Sequence, residues 1–414
     1  MKVAVVAEFY PRAHDPVLGV WSHRQAVAAH QAGAEVQVLV LHRVIPPASS
    51  LKAGPGTALR EFRTLLRQPR HTELDGLPIT YVPYISPGRI GSYGVWGKWA
   101  ARPLGRALRR LHSHFPYEIV HAHNAVPAAD ALRRARKLPA VPVVTSVHGG
   151  DVFHTAPLRP DWAMNVSAGL NASDLVLANS SGIRTACQRL TTSPVEVLLL
   201  GADIPDADPR PPRDHTLITV AHLIERKRHA DVMRAMWVLR GRWPKLRYVI
   251  VGDGPERAHL EQLAVELDMA DRVVFTGQLP PAEAMAALDD STLAVMPSVN
   301  EAYGVAYVES MAHGVPTIGA LGEPGPLDLA DLGSGIQLAA PGDVEHLARV
   351  IDRLLSDKAE RLRLGKLGRR VMAEHCSWDV VGRTTVAVYE RLLADRTGSD
   401  GVPAAAPASI GSTR

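Results

Sequence analysis

Two glutamates and one glycine in a single short stretch hold the clearest chemistry in this chain. Residues 296–316 read MPSVNEAYGVAYVESMAHGVP. Glu301 falls in the loop after an apolar run, Leu293 to Met296, and Glu309 follows with seven residues between them, inside a helix that Val305, Val308 and Met311 define. The two carboxylates are therefore separated by about two helical turns. Gly304 stands at the helix start, where the missing Cβ lets a ligand approach the backbone. The unpaired N–H groups of a first helical turn, at the positive end of the helix dipole, form a seat for an anion such as a diphosphate. Tyr303, Gly304 and Val305 are the candidate seat. An ordinary strand–loop–helix unit with two solvated glutamates would look much the same locally, so the choice rests on the rest of the chain.

The order Pro-Ser-x-x-Glu-x-x-Gly-x-x-x-x-Glu-x-Met-Ala-x-Gly-x-Pro, as it stands from Pro297 to Pro316, resembles the signature of retaining, nucleotide-sugar-dependent glycosyltransferases of family 4. The resemblance implies an α/β protein of the GT-B fold: two Rossmann-like, doubly wound parallel-sheet domains facing across a cleft. It runs from the first strand to the last helix. On this reading residues 1–205 form an acceptor-binding domain and residues 206–375 a nucleotide-sugar-binding domain. Residues 376–395 are a helix that crosses back to the first domain, and 396–414 are a disordered tail.

The resemblance also implies roles. His148-Gly149-Gly150-Asp151 is similar to the family's His-Gly-x-Asp segment, so His148, with Asp151, faces the donor sugar from the first domain. Gly19, in Leu18-Gly19-Val20, lies in the loop that passes the donor's phosphates. Lys227 matches the lysine that neutralises the diphosphate. The matching arginine position holds His222, and the glycine after the lysine is Arg228, so one half of that clamp depends on His222, Arg226 or Arg228. Backbone groups near Leu279 receive the nucleobase, Glu309 accepts hydrogen bonds from the ribose hydroxyls, and Glu301 holds sugar hydroxyls. Leu200-Gly201-Ala202-Asp203 stands where the family has Asn-Gly-x-Asp and receives no contact. The donor is a UDP- or GDP-linked sugar, the acceptor a glycan or a lipid-linked precursor, and neither a metal nor another cofactor takes part. No covalent nucleophile is assigned. The segment HDPVLGVWSHRQA near the start looks like members that build exopolysaccharide or cell-wall polymers.

The elements that must position these residues follow from composition and periodicity. A chain of 414 residues is too long for one core, and 46% hydrophobic with 21% charged residues is ordinary for a globular protein. Lys2 to Ala7 is a short apolar run that suits a buried parallel strand. A Gly- and Pro-rich loop, a helix over 22–31 and a strand over 36–41 complete the opening of a nucleotide-type domain. Further strands are expected at 119–123, 143–147, 175–179, 195–200, 217–221, 248–251, 272–277, 293–296 and 317–320. His148 stands at a strand's C-terminal end, where open α/β sheets bind ligands. Residues 43–95 and 322–335 read as irregular, and 204–214, rich in proline and charge, as the linker. Helices are expected over 343–355, 359–372 and 378–394.

Charge divides the chain. Residues 1–205 hold 22 Lys and Arg against 13 Asp and Glu, a net +9, while the remainder is −5, giving +4 in all. Two basic segments stand out in the first half, LREFRTLLRQPR and VWGKWAARPLGRALRRLH. In the second, Trp96, Trp99, Leu104, Leu108 and Leu111 can share one helical face, with Pro103 limiting its continuity. Such a stretch can lie on an anionic membrane surface, or it can pack its apolar stripe on its own domain. His121-Ala122-His123 puts two histidines on one strand face, but no third ligand of a suitable type is adjacent in sequence, which argues against a metal. Two cysteines, Cys187 and Cys376, give no disulfide framework and fit a reducing cytoplasm. No segment has the length of a membrane span, so the chain is read as cytoplasmic, peripheral to the inner membrane face at most. The rival readings are a non-catalytic sugar binder on this scaffold, a GT-B nucleotide-sugar epimerase or phosphorylase, and a nucleic-acid binder; the last has only scattered arginines behind it and no recognition module.

Overall fold

The computed structural model describes residues 1–46, 48–88, 91–206 and 215–399. Two separate sheets organise the chain. The first contains β1 (Lys2–Ala7), β2 (Glu35–Arg43), β3 (His71–Leu74), β4 (Leu77–Tyr84), β5 (Ile119–His123), β6 (Val143–Val147), β7 (Leu175–Ala178) and β8 (Val195–Val197), in the spatial order β3-β4-β2-β1-β5-β6-β7-β8. The second contains β9 (Thr216–Val220), β10 (Arg247–Val251), β11 (Val273–Gly277), β12 (Leu293–Met296), β13 (Thr317–Ala320) and β14 (Gln337–Ala339), in the order β11-β10-β9-β12-β13-β14. Every neighbouring pair is parallel except β3 with β4. The central strands read as apolar runs because helices cover both faces: β1, β6, β12 and β13 are almost wholly buried. In both sheets the strand order reverses beside the first strand, β1 or β9, so the ligand-binding crevice opens at those strands' C-terminal ends.

Several expectations are corrected. Residues 43–95 are not irregular. They contain a helix over Pro55–Leu66 and the hairpin β3–β4, whose two-residue turn is Asp75-Gly76 with φ of 48° and 77°. Asp-Gly between extended runs favours that turn, because both central residues need positive φ. Pro103 does not interrupt its helix, which is continuous from Trp96 to His114; the helix meets its neighbours through Trp96, Leu104, Leu108 and Leu111, all buried in the first domain's core. That packing settles the apolar stripe in favour of its own domain, apart from Trp99, which is exposed. Residues 322–335 include a helix, Pro324–Asp331. The expected linker and tail lie partly outside the described residues, at 207–214 and 400–414.

The C-terminal helix, Trp378–Ser399, returns across both halves. Val386, Val388 and Tyr389 belong to the apolar core around β1 and β2, whereas Trp378 and Val381 belong to the core under the Glu301 stretch. Arg391 pairs with Glu196 at 2.7 Å, and Gly382 lets the helix press on the first helix, Val20–Gln31. A Cβ on Gly382 would stand 2.2 Å from the carbonyl oxygen of Ala28. Gly382→Ala should therefore destabilise the protein by about 1–3 kcal/mol, the cost of overpacking a tight contact, read as a lower urea midpoint. An unchanged midpoint would show that this contact yields freely.

Candidate active site

A cleft of about 180 Å³ lies between the two sheets. Trp21, His148 and Asn179 line it from the first domain; Lys227, Ser298, Glu301 and the backbone of Tyr303, Gly304 and Val305 line it from the second. The residues from the second domain come from two adjacent strand ends. Lys227 belongs to a single turn, Glu225–Lys227, after β9, and Glu301 to the loop after β12. The backbone N–H of Val299 donates to the Arg226 carbonyl at 2.9 Å, tying those loops together.

Glu301 is buried and is the centre of the charge cluster. Its Oε2 accepts a close ion-pair hydrogen bond from Lys227 Nζ and lies 3.4 Å from Arg226 Nη1. Its own backbone N–H donates to Glu323 Oε2 at 2.8 Å, which holds the loop against the Pro324–Asp331 helix. Arg226 is thus the arginine that reaches the cluster. Arg228 turns away to pair with Asp231 at 2.5 Å, and His222 is exposed and does not line the cleft. The structure thus sets Arg226, not His222, beside Glu301.

The helix Val305–Ala312 starts at Gly304, whose φ is 86°. A side chain there would be strained by that φ, and its Cβ would stand 2.3 Å from the Tyr307 ring. The Tyr303 side chain is buried and its phenol donates to the Leu200 carbonyl at 2.9 Å, bracing one half against the other. Glu309 lies further along this helix, half-buried and outside the cleft lining, its carboxylate without a hydrogen-bond partner among the described residues. Burial and the nearby Asp203 carboxylate push its carboxyl up to about 7. Asp203 in turn pairs with Arg24, which stacks over Trp378.

From the first domain, His148 follows β6 at the cleft wall. Burial lowers its pKa to about 4, so at neutral pH it is an uncharged hydrogen-bonding group. Gly149 brings its loop against the opposite half: a Cβ there would be 2.4 Å from the Ala302 Cβ. Asp151 is corrected as a donor-binding residue. It is buried beneath the loop after β5, where its carboxylate accepts from Asn124 Nδ2 at 3.1 Å and from the N–H groups of Ala125 at 2.9 Å and Val126 at 3.4 Å. Gly19 and Leu279 do not line the cleft either. Gly19 packs under Phe9 as the N-cap of the first helix, and Leu279 is half-buried against the second domain's core. Sequence reasoning missed Trp21, whose ring meets His148 edge-on with centroids 6.2 Å apart; its place one residue into the helix after Gly19 was the available signal.

Residues 17–206 match the family model described as Glycosyltransferase Family 4, and residues 202–371 match that of Glycosyl transferases group 1. The chain belongs to these glycosyltransferases. Among relatives of this glycosyltransferase, the 2-deoxystreptamine glucosyltransferase of Streptomyces kanamyceticus is 28% identical over 340 residues, 75% of this chain and 87% of the relative. Sucrose-phosphate synthase from Thermosynechococcus elongatus superposes with a TM-score of 0.75 at 18% identity, covering 95% of this chain and all of that one. Anabaena HepE in complex with UDP and glucose gives a TM-score of 0.69 at 18% identity, over 94% of this chain and 99% of that one. The two-sheet fold is GT-B. Among the described residues, no group of three or more His, Cys, Asp or Glu could hold a metal ion, and no helix is long and apolar enough to cross a membrane.

The raised pKa of Glu309 makes a pH prediction. If Glu309 accepts hydroxyl hydrogen bonds from a donor, as the resemblance implies, it binds best when ionised, and donor affinity should fall as pH drops through about 7, with a proton released on binding near that pH. Calorimetry in buffers of different ionisation enthalpy would read both effects. Glu309→Gln should bind more weakly with a flat pH profile; a profile in the variant like that of the native enzyme would assign the titration elsewhere.

Proposed function

We propose that this glycosyltransferase transfers a sugar from a nucleotide diphosphate donor to a glycan or lipid-linked acceptor of cell-surface polymer synthesis, with retention at the anomeric carbon and without a metal. The observation that supports this reading is the cluster of Lys227, Arg226 and Glu301 beside the start of the Val305–Ala312 helix. Breaking the anomeric C–O bond sends its electron pair to the diphosphate and leaves positive charge on the sugar ring. Two side-chain cations and the helix N-terminus answer the first charge. Glu301 holds sugar hydroxyls and, as a carboxylate, favours the second. Glu301 also keeps Lys227 and Arg226 paired in place, so the diphosphate enters a preformed cationic site. His148, neutral, orients the sugar from the first domain, and closure of the halves excludes water.

The acceptor side is the basic first domain. Its helix Pro55–Leu66 turns Leu59, Phe62 and Leu66, 49%, 38% and 58% exposed, to solvent, among the exposed Arg60, Arg63, Arg67 and Arg70. Leu65 is its buried anchor, and its carbonyl accepts from His42 Nε2 at 2.9 Å. Gln68 Oε1 accepts from the Ala13 N–H at 3.0 Å, so this helix adjoins the loop that leads to the cleft. An apolar row flanked by arginines fits an anionic lipid surface, to which each basic residue adds about 1 kcal/mol. The enzyme would then meet a lipid-linked acceptor at the inner membrane face.

Turnover measured as donor hydrolysis and transfer across a panel of UDP- and GDP-sugars tests the chemistry. Lys227→Ala should lower kcat by roughly 10²–10³, as loss of one preorganised charge partner does, and Arg226→Ala by about tenfold or more. His222→Ala should stay within about threefold, because His222 lies outside the cleft. Full turnover in both Lys227→Ala and Glu309→Ala contradicts the assignment. Sedimentation with anionic vesicles tests the surface. The native enzyme should pellet at low salt and be released at high salt, while Leu59→Ser with Phe62→Ser should stay in solution yet keep donor hydrolysis. No pelleting at low salt removes the membrane reading.

A further inference from the structure

Behind His148 stand two more histidines that the proposed chemistry does not use. His121 and His123 project from the same face of β5, stacked at 4.7 Å with their planes 23° apart. His123 and His148 are 5.3 Å apart and nearly parallel, with planes at 7°, and His123 Nδ1 lies 3.0 Å from His148 Nε2. His121 is fixed at both nitrogens, to Tyr389 Oη at 2.6 Å and to Ser146 Oγ at 2.8 Å. Tyr389 comes from the C-terminal helix, so that helix buttresses the row from behind. His121 and His123 are 1% exposed.

All three rings are uncharged near neutral pH, since burial lowers each pKa: His121 to about 3, His148 to about 4, and His123 well below the usual value. A neutral imidazole has one N–H and one bare nitrogen. The 3.0 Å contact therefore needs one proton shared between His123 Nδ1 and His148 Nε2, and that proton decides where the others sit. If His123 Nδ1 donates, His148 must bear its own proton on Nδ1; if His148 Nε2 donates, its Nδ1 is bare. The remaining nitrogens, His123 Nε2 and His148 Nδ1, are buried without a hydrogen-bond partner. A buried N–H without a partner is the rarer case in proteins, compared with an acceptor left bare. The first arrangement leaves a bare nitrogen deep in the fold at His123. It puts the unpaired N–H on His148, the ring that lines the cleft; Nδ1 is buried in this conformation, so a sugar oxygen reaches it only after the ring or its loop shifts.

We infer that His123 is a positioning residue: by donating from Nδ1 to His148 Nε2 it locks that ring against the end of the sheet and makes His148 a hydrogen-bond donor through Nδ1. The inference rests on the reading of His148 as a donor-sugar contact. His121 acts as the stacked spacer that keeps the His123 ring in plane, and Tyr389 and Ser146 keep His121 from rotating. A histidine whose second nitrogen is held by a fixed partner presents one tautomer rather than two, and orientation of this kind affects the reacting complex more than the free protein.

Four measurements on the full chain test it: kcat, donor KM, thermal midpoint, and ¹⁵N chemical shifts of labelled histidine, with the His148 signals assigned by their loss in His148→Gln. In the native protein His148 should show a single tautomer protonated on Nδ1. His123→Leu should lower the midpoint by a few degrees, because it leaves His148 Nε2 without its partner, yet lower kcat about 10–100-fold, more than that loss of stability accounts for, with donor KM within about threefold, and should give averaged His148 shifts. His123→Asn, whose amide can stand where Nδ1 does, should restore most of kcat and the single tautomer. Native-like kcat in His123→Leu, alongside a loss in His148→Gln, overturns the positioning role alone. Equal losses in His123→Leu and His123→Asn that follow the midpoint also overturn it, as would a native His148 protonated on Nε2. Full turnover in His148→Gln instead overturns the donor-sugar role of His148 on which the inference stands.

Discussion

The charge cluster of Lys227, Arg226 and Glu301 constrains everything around it. Two cations and a buried carboxylate at a domain seam lose much of their hydration, and their mutual pairing offsets that loss only if the geometry is held. The holding is done by backbone: the turn after β9 and the loop after β12 are tied by the Val299 N–H to the Arg226 carbonyl, and the Glu301 N–H is held by Glu323. Because β9 and β12 are neighbours in the sheet, the two loops that bear opposite charges leave the same edge side by side. The site is thus a consequence of strand order, and its two cations are held in place by the protein alone.

A second constraint is the closeness of the two halves. Gly149 against Ala302, Gly182 against Pro324, and the Tyr303 phenol on the Leu200 carbonyl all bring backbone to within contact across the seam. The Ser181 N–H adds a direct bond to Asp328 Oδ2 at 2.7 Å, at the start of the helix Ser181–Gln188. Larger residues at the glycine positions would hold the halves apart and admit water to a site whose electrostatics depend on its exclusion. The C-terminal helix serves both ends of this design. It supplies apolar residues to both cores and places Tyr389 behind the histidine row, so the last segment of the chain stabilises the first domain's wall of the cleft.

Much of the fold was legible in sequence because parallel strands covered on both faces must be apolar along their whole length. Lys2–Ala7, Leu293–Met296 and Thr317–Ala320 announce themselves in that way. The short hairpin over 71–84 did not, since its edge strand His71–Leu74 is exposed and polar, and only the Asp75-Gly76 pair marked it. The helix at Pro324 was hidden by Gly and Pro residues that serve its first turn rather than break it. At the site, Glu301 and Gly304 were marked by a local loop and helix start and Lys227 and His148 by the family resemblance, and the structure brings all four to one cleft. Asp151, His222 and the role of Arg226 could not, because a side chain's direction is decided by what packs beside it.

The sequence by itself determined the alternation of strands and helices, the family signature and the residue types available for charge and hydrogen bonding. These follow from local periodicity and from the short range over which a turn or a helix start is encoded. Only the tertiary structure decided which cation meets Glu301, which carboxylate is lifted toward neutral pH by burial, and which helix shows an apolar row to solvent. It also decided that residues as distant as His121, His148 and Tyr389 form one supported row. Those outcomes depend on desolvation and on contacts between segments far apart in the chain, and neither is written in any single stretch of residues.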